Sequence, residues 1–280
     1  MRRELDKAEE VTSPPALTVF EYPKANAEAF NWQGRLDWTS DDGTAFYASV
    51  SRRARFPTTF ERFSTQFGNA ASNPGLKPER ATQFELGGSK TFGGLTAEAA
   101  IFYSDINDAI VAVRPAGFPA NTSQRRNLGK AHYYGAELAL TARLGETLEM
   151  GANYSYIHRT FDITPEQNVT VPVFALTDVP KHKGFAYADW SLVPIVHIVP
   201  SVEVASSRTT LDTYVPTAPG TVRYYQTGSY VQAGLRVDVD VMDNVTIGVG
   251  ARNLFDDNYT LTDGFPEPGR SFFASLRTKY

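Results

Sequence analysis

The sequence predicts an all-β protein, an antiparallel, up-and-down transmembrane β-barrel segment of about eleven strands. Three observations predict it. Apolar and polar residues alternate with period two over most of the chain: from Val231 to Val241 every odd position is apolar and every even one polar or glycine. Connections between these stretches alternate between tight turns and long polar loops. The last stretch, Arg270 to Tyr280, sets Phe272, Ala274, Leu276, Thr278 and Tyr280 on one face and Ser275, Arg277 and Lys279 on the other. A strand with one apolar and one charged face suits a wall between lipid and water.

Bulk composition narrows the field. The 280 residues carry a net charge of −4, which excludes a basic nucleic-acid binder. Eighteen Phe and fourteen Tyr are enough for aromatic girdles at both membrane interfaces. Mean hydropathy is −0.30, and no run of about 18 apolar residues exists, so no transmembrane helix is predicted. A barrel strand shows only alternate residues to lipid, so the same low average is compatible with a membrane wall. Zero cysteines exclude disulfides, thiolate metal sites and cysteine nucleophiles together.

Taken in order, residues 1–29, with Ser13-Pro14-Pro15 and Tyr22-Pro23, read as a loop or leader into the first strand. Met1 to Glu10 has basic residues but no apolar run after them, so a secretory signal peptide is expected to be absent. Residues 30–280 read as the barrel portion. Strands are expected near 30–38, 44–53, 81–92, 95–108, 131–144, 147–161, 183–193, 195–206, 224–242, 245–260 and 269–280. Tight turns fall at Ser40-Asp41-Asp42-Gly43, Phe92-Gly93-Gly94, Gly145-Glu146, near Pro194 and at Asp243-Asn244. Long connections are expected from Arg53 to Arg80, Arg114 to Lys130, Asp162 to His182 and Ser206 to Arg223, with a shorter one from Gly264 to Gly269. Short turns on one rim and long loops on the other is the outer-membrane arrangement. With an odd strand count the first and last strands run the same way, so these strands alone do not close an up-and-down barrel.

Four motifs follow in order. Tyr47-Ala-Ser-Val-Ser-Arg-Arg-Ala-Arg-Phe-Pro57 is a strand rising into a loop. Asn73-Pro-Gly-Leu-Lys-Pro-Glu79 precedes Phe84-Glu-Leu-Gly87. Ala100-Ile-Phe-Tyr-Ser-Asp-Ile-Asn-Asp-Ala-Ile110 precedes Gly135-Ala-Glu-Leu138. Arg252-Asn-Leu-Phe-Asp-Asp-Asn-Tyr259 leads to Pro268-Gly-Arg270 and the terminal aromatic strand. Together, over residues 44–280, they resemble the C-terminal half of TonB-dependent outer-membrane receptors. The resemblance implies half of a barrel of about 22 strands, without its plug domain. It also implies a Gram-negative outer-membrane location and a part in energised uptake of a scarce nutrient, such as a ferric siderophore or cobalamin. The implied partners are outer-membrane lipid and lipopolysaccharide, the barrel assembly machinery, the N-terminal half-barrel and plug, and through the plug the TonB energy-coupling complex. An extracellular metal-chelate or cobalamin-type ligand completes them. The terminal strand, with Phe272, Leu276 and Tyr280, resembles the family's assembly signal.

Candidate site residues divide by face. Glu85, Glu98, Glu137, Arg143, Arg236, Asp238, Asp240 and Arg252 share the polar parity and are expected to face the lumen, as a paired, wetted lining or as a substrate path. Arg53, Arg55, Arg125 and Arg126 cluster in two expected extracellular loops, where arginine suits carboxylate and phenolate oxygens. Phe56, Phe60 and Tyr133 in the same region could stack on an aromatic ligand. His132, His158 and His182 fall near the long-loop rim without the spacing of a metal site. No nucleotide loop, metalloprotease helix or nucleophile elbow is present, and no enzyme activity or cofactor is expected. Two rivals remain at this point: a small stand-alone outer-membrane pore or autotransporter-like barrel, and a soluble secreted β-sandwich binding module.

Overall fold

The computed structural model of the protein describes residues 2–5, 8–11, 19–22, 24–65, 70–118, 122–166, 169–170, 176–212, 223–262 and 264–279. Near the N-terminus β1 (Arg2–Leu5) and β2 (Ala8–Val11) are followed by β3 (Val19–Tyr22) and β4 (Ala25–Glu28). The inner pair β2–β3 nests within the outer pair β1–β4, both antiparallel. Residues 1–29, expected as loop, thus carry short paired strands, each too brief for periodicity to reveal.

The chain goes on with β5 (Trp32–Thr39), β6 (Ala45–Arg55), a short helix α1 (Thr59–Phe63), β7 (Ala70–Ala71), β8 (Glu79–Phe92), β9 (Leu95–Pro115) and β10 (Ser123–Leu144). It continues with β11 (Leu148–Ile163), β12 (Val169–Thr170), β13 (His182–Val193), β14 (Val196–Ala205), β15 (Arg208–Leu211) and β16 (Tyr224–Thr227). The last elements are β17 (Tyr230–Met242), β18 (Val245–Arg252), β19 (Thr260–Thr262), β20 (Phe265–Pro266) and β21 (Ser271–Thr278). Among the described residues the main path is an up-and-down sheet in the order β21-β18-β17-β14-β13-β11-β10-β9-β8-β6-β5, with β7 and β12 attached at the rim. Every neighbour on the path is antiparallel, and β5 and β21 are open edges.

Register carries one face across the sheet. Arg35 opposes Ser49, Ser49 opposes Glu85, Glu85 opposes Phe102 and Phe102 opposes Gly135. On the reverse face Leu36, Ala48, Leu86, Ile101, Ala136 and Tyr156 oppose one another in turn. Side chains of that face are open, with Leu36 and Phe272 each 78% exposed. A continuous apolar surface of this extent is an aggregation liability in water and a requirement in lipid. One concavity of about 580 Å³ is lined from Arg35 and Asp37 on β5 across to Asn153 and Ser155 on β11.

Close packing on the polar face uses glycine. A Cβ at Gly151 would overlap the ring of Tyr187 on the neighbouring strand, and one at Gly250 would meet Phe273 Cζ at 2.5 Å. The missing side chain lets the neighbouring ring lie flat on the backbone.

Several boundaries differ from the sequence expectation. The connection expected from Arg114 to Lys130 is mostly strand, because β9 runs to Pro115 and β10 starts at Ser123. Register shifts between Asn127 and Ala131 break the period-two pattern there. The strand expected over 224–242 is two strands, since β16 pairs with β15 and only β17 joins the wall. The one expected over 245–260 ends at Arg252, because Asn253 takes φ 51°.

Candidate functional site at the long-loop rim

The five tight turns lie on one rim and the long connections on the other. On the turn rim, Ser40, Lys90 and Thr44 hydrogen bond to Asp42 and hold its carboxyl well below the usual carboxylate range. Of the eleven buried apolar side chains among the described residues, six are at the long-loop rim under or beside a strap: Phe56, Leu76, Ala109, Val111, Val113 and Ala131.

Residues 56–65 and 70–78 belong to this strap, which returns across the β9–β10 hairpin. Its helix α1 starts with a capping box, in which Glu61 N donates to Thr58 Oγ1 (3.1 Å) and Thr58 N donates to Glu61 Oε2 (2.8 Å). Arg62, 6% exposed, donates through Nη2 to Leu76 O at 2.8 Å. Asn127 fastens the strap as a backbone would: Lys77 N donates to its Oδ1 (2.8 Å), and its Nδ2 donates to Lys77 O (2.9 Å) and Asp108 O (2.7 Å). Asn73 Nδ2 donates to Arg125 O at 2.8 Å and Gln124 Nε2 to Ser72 O at 3.0 Å. Lys77 and Asn73 belong to the Asn-Pro-Gly-Leu-Lys-Pro-Glu motif, whose prolines keep it out of the sheet.

The rim candidates fall into two groups. Arg55 donates to both carboxylate oxygens of Glu61 (3.0 and 3.1 Å) and to Glu79, and these bonds, Glu79's first, raise the Arg55 pKa. Burial pushes the Glu61 carboxyl up, but the Arg55 and Thr58 bonds together hold it below its ordinary value. Arg126 is neutralised by Glu166 at 2.8 Å, and Phe56 is 7% exposed. Arg55, Arg126 and Phe56 are thus committed to the fold. Phe60 is 60% exposed on α1, Arg125 is exposed on β10, and Arg53 is exposed with a single bond to Gln33 Oε1 at 2.9 Å. Tyr133 opposes Arg159 across β10 and β11. Arg53, Arg55, Arg125, Arg126 and Tyr133 stand on strands that rise into the rim, not in loops as expected. Asn127, Gln124 and Arg159 escape a sequence reading, the first two because the bulges erase the alternation around them.

Along the polar face Tyr47 OH donates to Glu85 at 2.5 Å, and Glu98 and Glu137 line the concavity. Arg143 pairs with Glu149 (2.9 Å) and Arg236 with Asp238 (3.0 Å). Thr246 donates to Asp240 at 2.6 Å, and Arg252 lies 5.3 Å over the Phe273 ring. His197 Nδ1 sits 3.0 Å from Asp189 on the same face. On the apolar face His132, His158 and His182 stack beside Tyr103, Tyr134 and Tyr154. Among the described residues no group of three or more His, Cys, Asp or Glu could hold a metal ion. Phe272 and Leu276 are exposed on β21, and Tyr280 lies outside the described residues.

Near β21, Asn253 is 1% exposed and accepts from Asp257 N (2.9 Å) while donating to Asp257 O (2.8 Å) and Pro268 O (3.3 Å). Asp256 accepts from Arg270 N at 2.7 Å. Both residues serve the backbone that turns into the last strand.

Comparison with known proteins agrees with this geometry. A family model described as TonB dependent receptor-like, beta-barrel, matches residues 7–254. The iron-regulated outer membrane virulence protein of Vibrio cholerae is 26% identical over 220 residues, 75% of this chain and 32% of that protein. The ferric enterobactin receptor of Pseudomonas aeruginosa is 26% identical over 242 residues, 74% of this chain and 30% of that protein. The solved FrpB iron transporter of Neisseria meningitidis superposes with a TM-score of 0.74 at 17% identity, covering 92% of this chain and 40% of that one. The chain spans about a third of the length of the curated relatives it matches.

Proposed function

The chain belongs to the TonB-dependent receptor β-barrel family, and from that premise we propose that it forms the wall and part of the mouth of an outer-membrane receptor for a ferric chelate. The observation that carries the reading is a single sheet whose reverse face is predominantly apolar, whose other face is charged and carries a concavity, and whose long connections gather on one rim. Relatives named for iron favour a ferric chelate over cobalamin as cargo.

In this reading the long-loop rim faces the medium and the polar face lines the lumen. Phe60, Arg125 and Arg53 are the rim groups open to a ligand. Glu85, Glu98, Glu137, Arg143, Arg236, Asp238, Asp240 and Arg252 line the passage and the surface met by a plug. Energy would reach that plug from TonB. The open edges β5 and β21 leave ladder groups that lipid cannot satisfy, so further strands must pair with them in the membrane. Lipopolysaccharide and lipid meet the apolar face, and the assembly machinery meets β21.

Uptake of radiolabelled iron chelates and of labelled cobalamin, by cells with and without the gene under iron starvation, tests the proposal. Gene-dependent, TonB-dependent accumulation of iron is the expected result. Accumulation of cobalamin alone, or passive flux independent of TonB, sinks it.

A further inference from the structure

A second cavity, of about 520 Å³, opens at the long-loop rim between β11, the start of β13 and the β15–β16 hairpin. Its volume lies within the roughly 300–1,000 Å³ of small-ligand clefts. Arg159 and Lys181 line it, and Ser206, Ser207, Thr209 and Gln226 add neutral polar groups. No acidic side chain is among the described lining residues.

The two cations differ from others on neighbouring strands. Arg126 and Arg143 on β10 hold carboxylates at 2.8 and 2.9 Å, and Lys183 on β13 holds Glu203 at 3.3 Å. Arg159 reaches only the carbonyls of Thr177 and Val179, at 3.4 and 3.5 Å, the outer limit of a hydrogen bond. Among the described residues neither Arg159 nor Lys181 has an ion-pair partner. Arg208, 3% exposed and bonded to Thr260 O and Leu261 O, adds a fixed positive charge in the same lining. Asp178, exposed and outside the lining, is the acid whose charge reaches Arg159. A half-buried guanidinium left with long carbonyl contacts is an unfilled donor fork, and a planar oxyanion fills it in two parallel bonds.

We propose that Arg159 and Lys181 form an oxyanion site at the rim, which selects an anionic ferric chelate over a cationic one. The site takes carboxylate or phenolate oxygens, with the Thr209 hydroxyl, which accepts from Gln226 and keeps its own proton, as a secondary donor. The inference rests on the receptor reading and adds to it the charge class of the cargo and two residues that set it.

The test uses outer membranes from cells producing the complete gene product, incubated with radiolabelled ferric citrate, a ferric tris-catecholate and the cationic ferrioxamine B. Native protein is expected to retain at least one of the two anionic chelates more tightly than ferrioxamine B. In the Arg159→Gln, Lys181→Gln double variant that affinity should fall about tenfold or more, as one charge-assisted hydrogen bond requires. Any ferrioxamine B binding should stay unchanged, and Arg159→Lys should restore part of the loss. Unchanged heat-modifiable migration shows that the variant is folded; if it fails to fold, Arg159→Lys and Lys181→Gln singly carry the comparison. Equal anionic-chelate affinity in folded variant and native protein, or a native preference for ferrioxamine B, overturns the oxyanion site and leaves the receptor reading standing. Retention of none of the three by native protein overturns the receptor reading, and the site with it.

Discussion

Replacing Asn127 by Ala removes the side chain that fastens the Lys77 end of the strap to the β9–β10 hairpin. Three hydrogen bonds disappear, at 2.8, 2.9 and 2.7 Å. At about 1 kcal/mol net for each, full loss would weaken docking by about 3 kcal/mol. Asn127 is only partly buried, so water recovers some of this and about 2 kcal/mol remains, or about a 30-fold rise in strap opening. Leu76, 2% exposed, and the Asn73–Arg125 and Gln124–Ser72 bonds stay in place, so the wall itself should persist. Asn127→Asp should be worse than Asn127→Ala, because it turns a carboxylate oxygen toward the Lys77 and Asp108 carbonyls. Hydrogen exchange of the Lys77 amide, followed by mass spectrometry in outer-membrane vesicles, reads the opening directly. Native-like protection of Lys77 in Asn127→Ala would refute the fastening, and an order of effects with Ala worse than Asp would refute the role assigned to the amide donors.

Three further outcomes follow from the same geometry. Gly151→Val puts branched carbons where the Tyr187 ring lies, and overpacking of this kind costs about 1–3 kcal/mol; the heat-modifiable fraction should fall, while Gly151→Ala should fall less. Asn253→Leu forces a branched side chain to φ 51° and strips three local bonds, a loss of about 2–4 kcal/mol, which should appear as slower membrane assembly. Glu61 has its folded pKa depressed, so its contribution is fully present above the unfolded carboxylate value of about 4.3 and is lost as pH falls through the lower folded one. Protease cleavage of the strap should therefore rise as pH drops below about 4, and Glu61→Gln should flatten that response and cleave more readily at neutral pH.

The wall was legible in the sequence because a strand in a two-faced sheet must alternate. Val231 to Val241 and Phe272 to Thr278 name their faces without any neighbour being known, and the tight turns name their own positions through Gly, Asn and Asp. Parity also placed Glu85, Glu98, Glu137, Arg236, Asp238 and Asp240 together on one face, and register sets them there. At the rim this reasoning fails. Val111, Val113 and Arg125 lie in a stretch where bulges shift the parity, and their strands continue because a strap from far along the chain covers them. Whether an arginine is open or spent is likewise decided by distant groups: Arg55 and Arg53 look alike in sequence, yet Arg55 is held by Glu61 and Glu79 and Arg53 by one amide. The sequence by itself determined which residues share the apolar face of the sheet and which the polar one, since that depends on a local period of two. Only the tertiary structure decided which rim charges are neutralised and where an unpaired one opens into a cavity, since ion pairs and burial depend on residues that folding alone brings together.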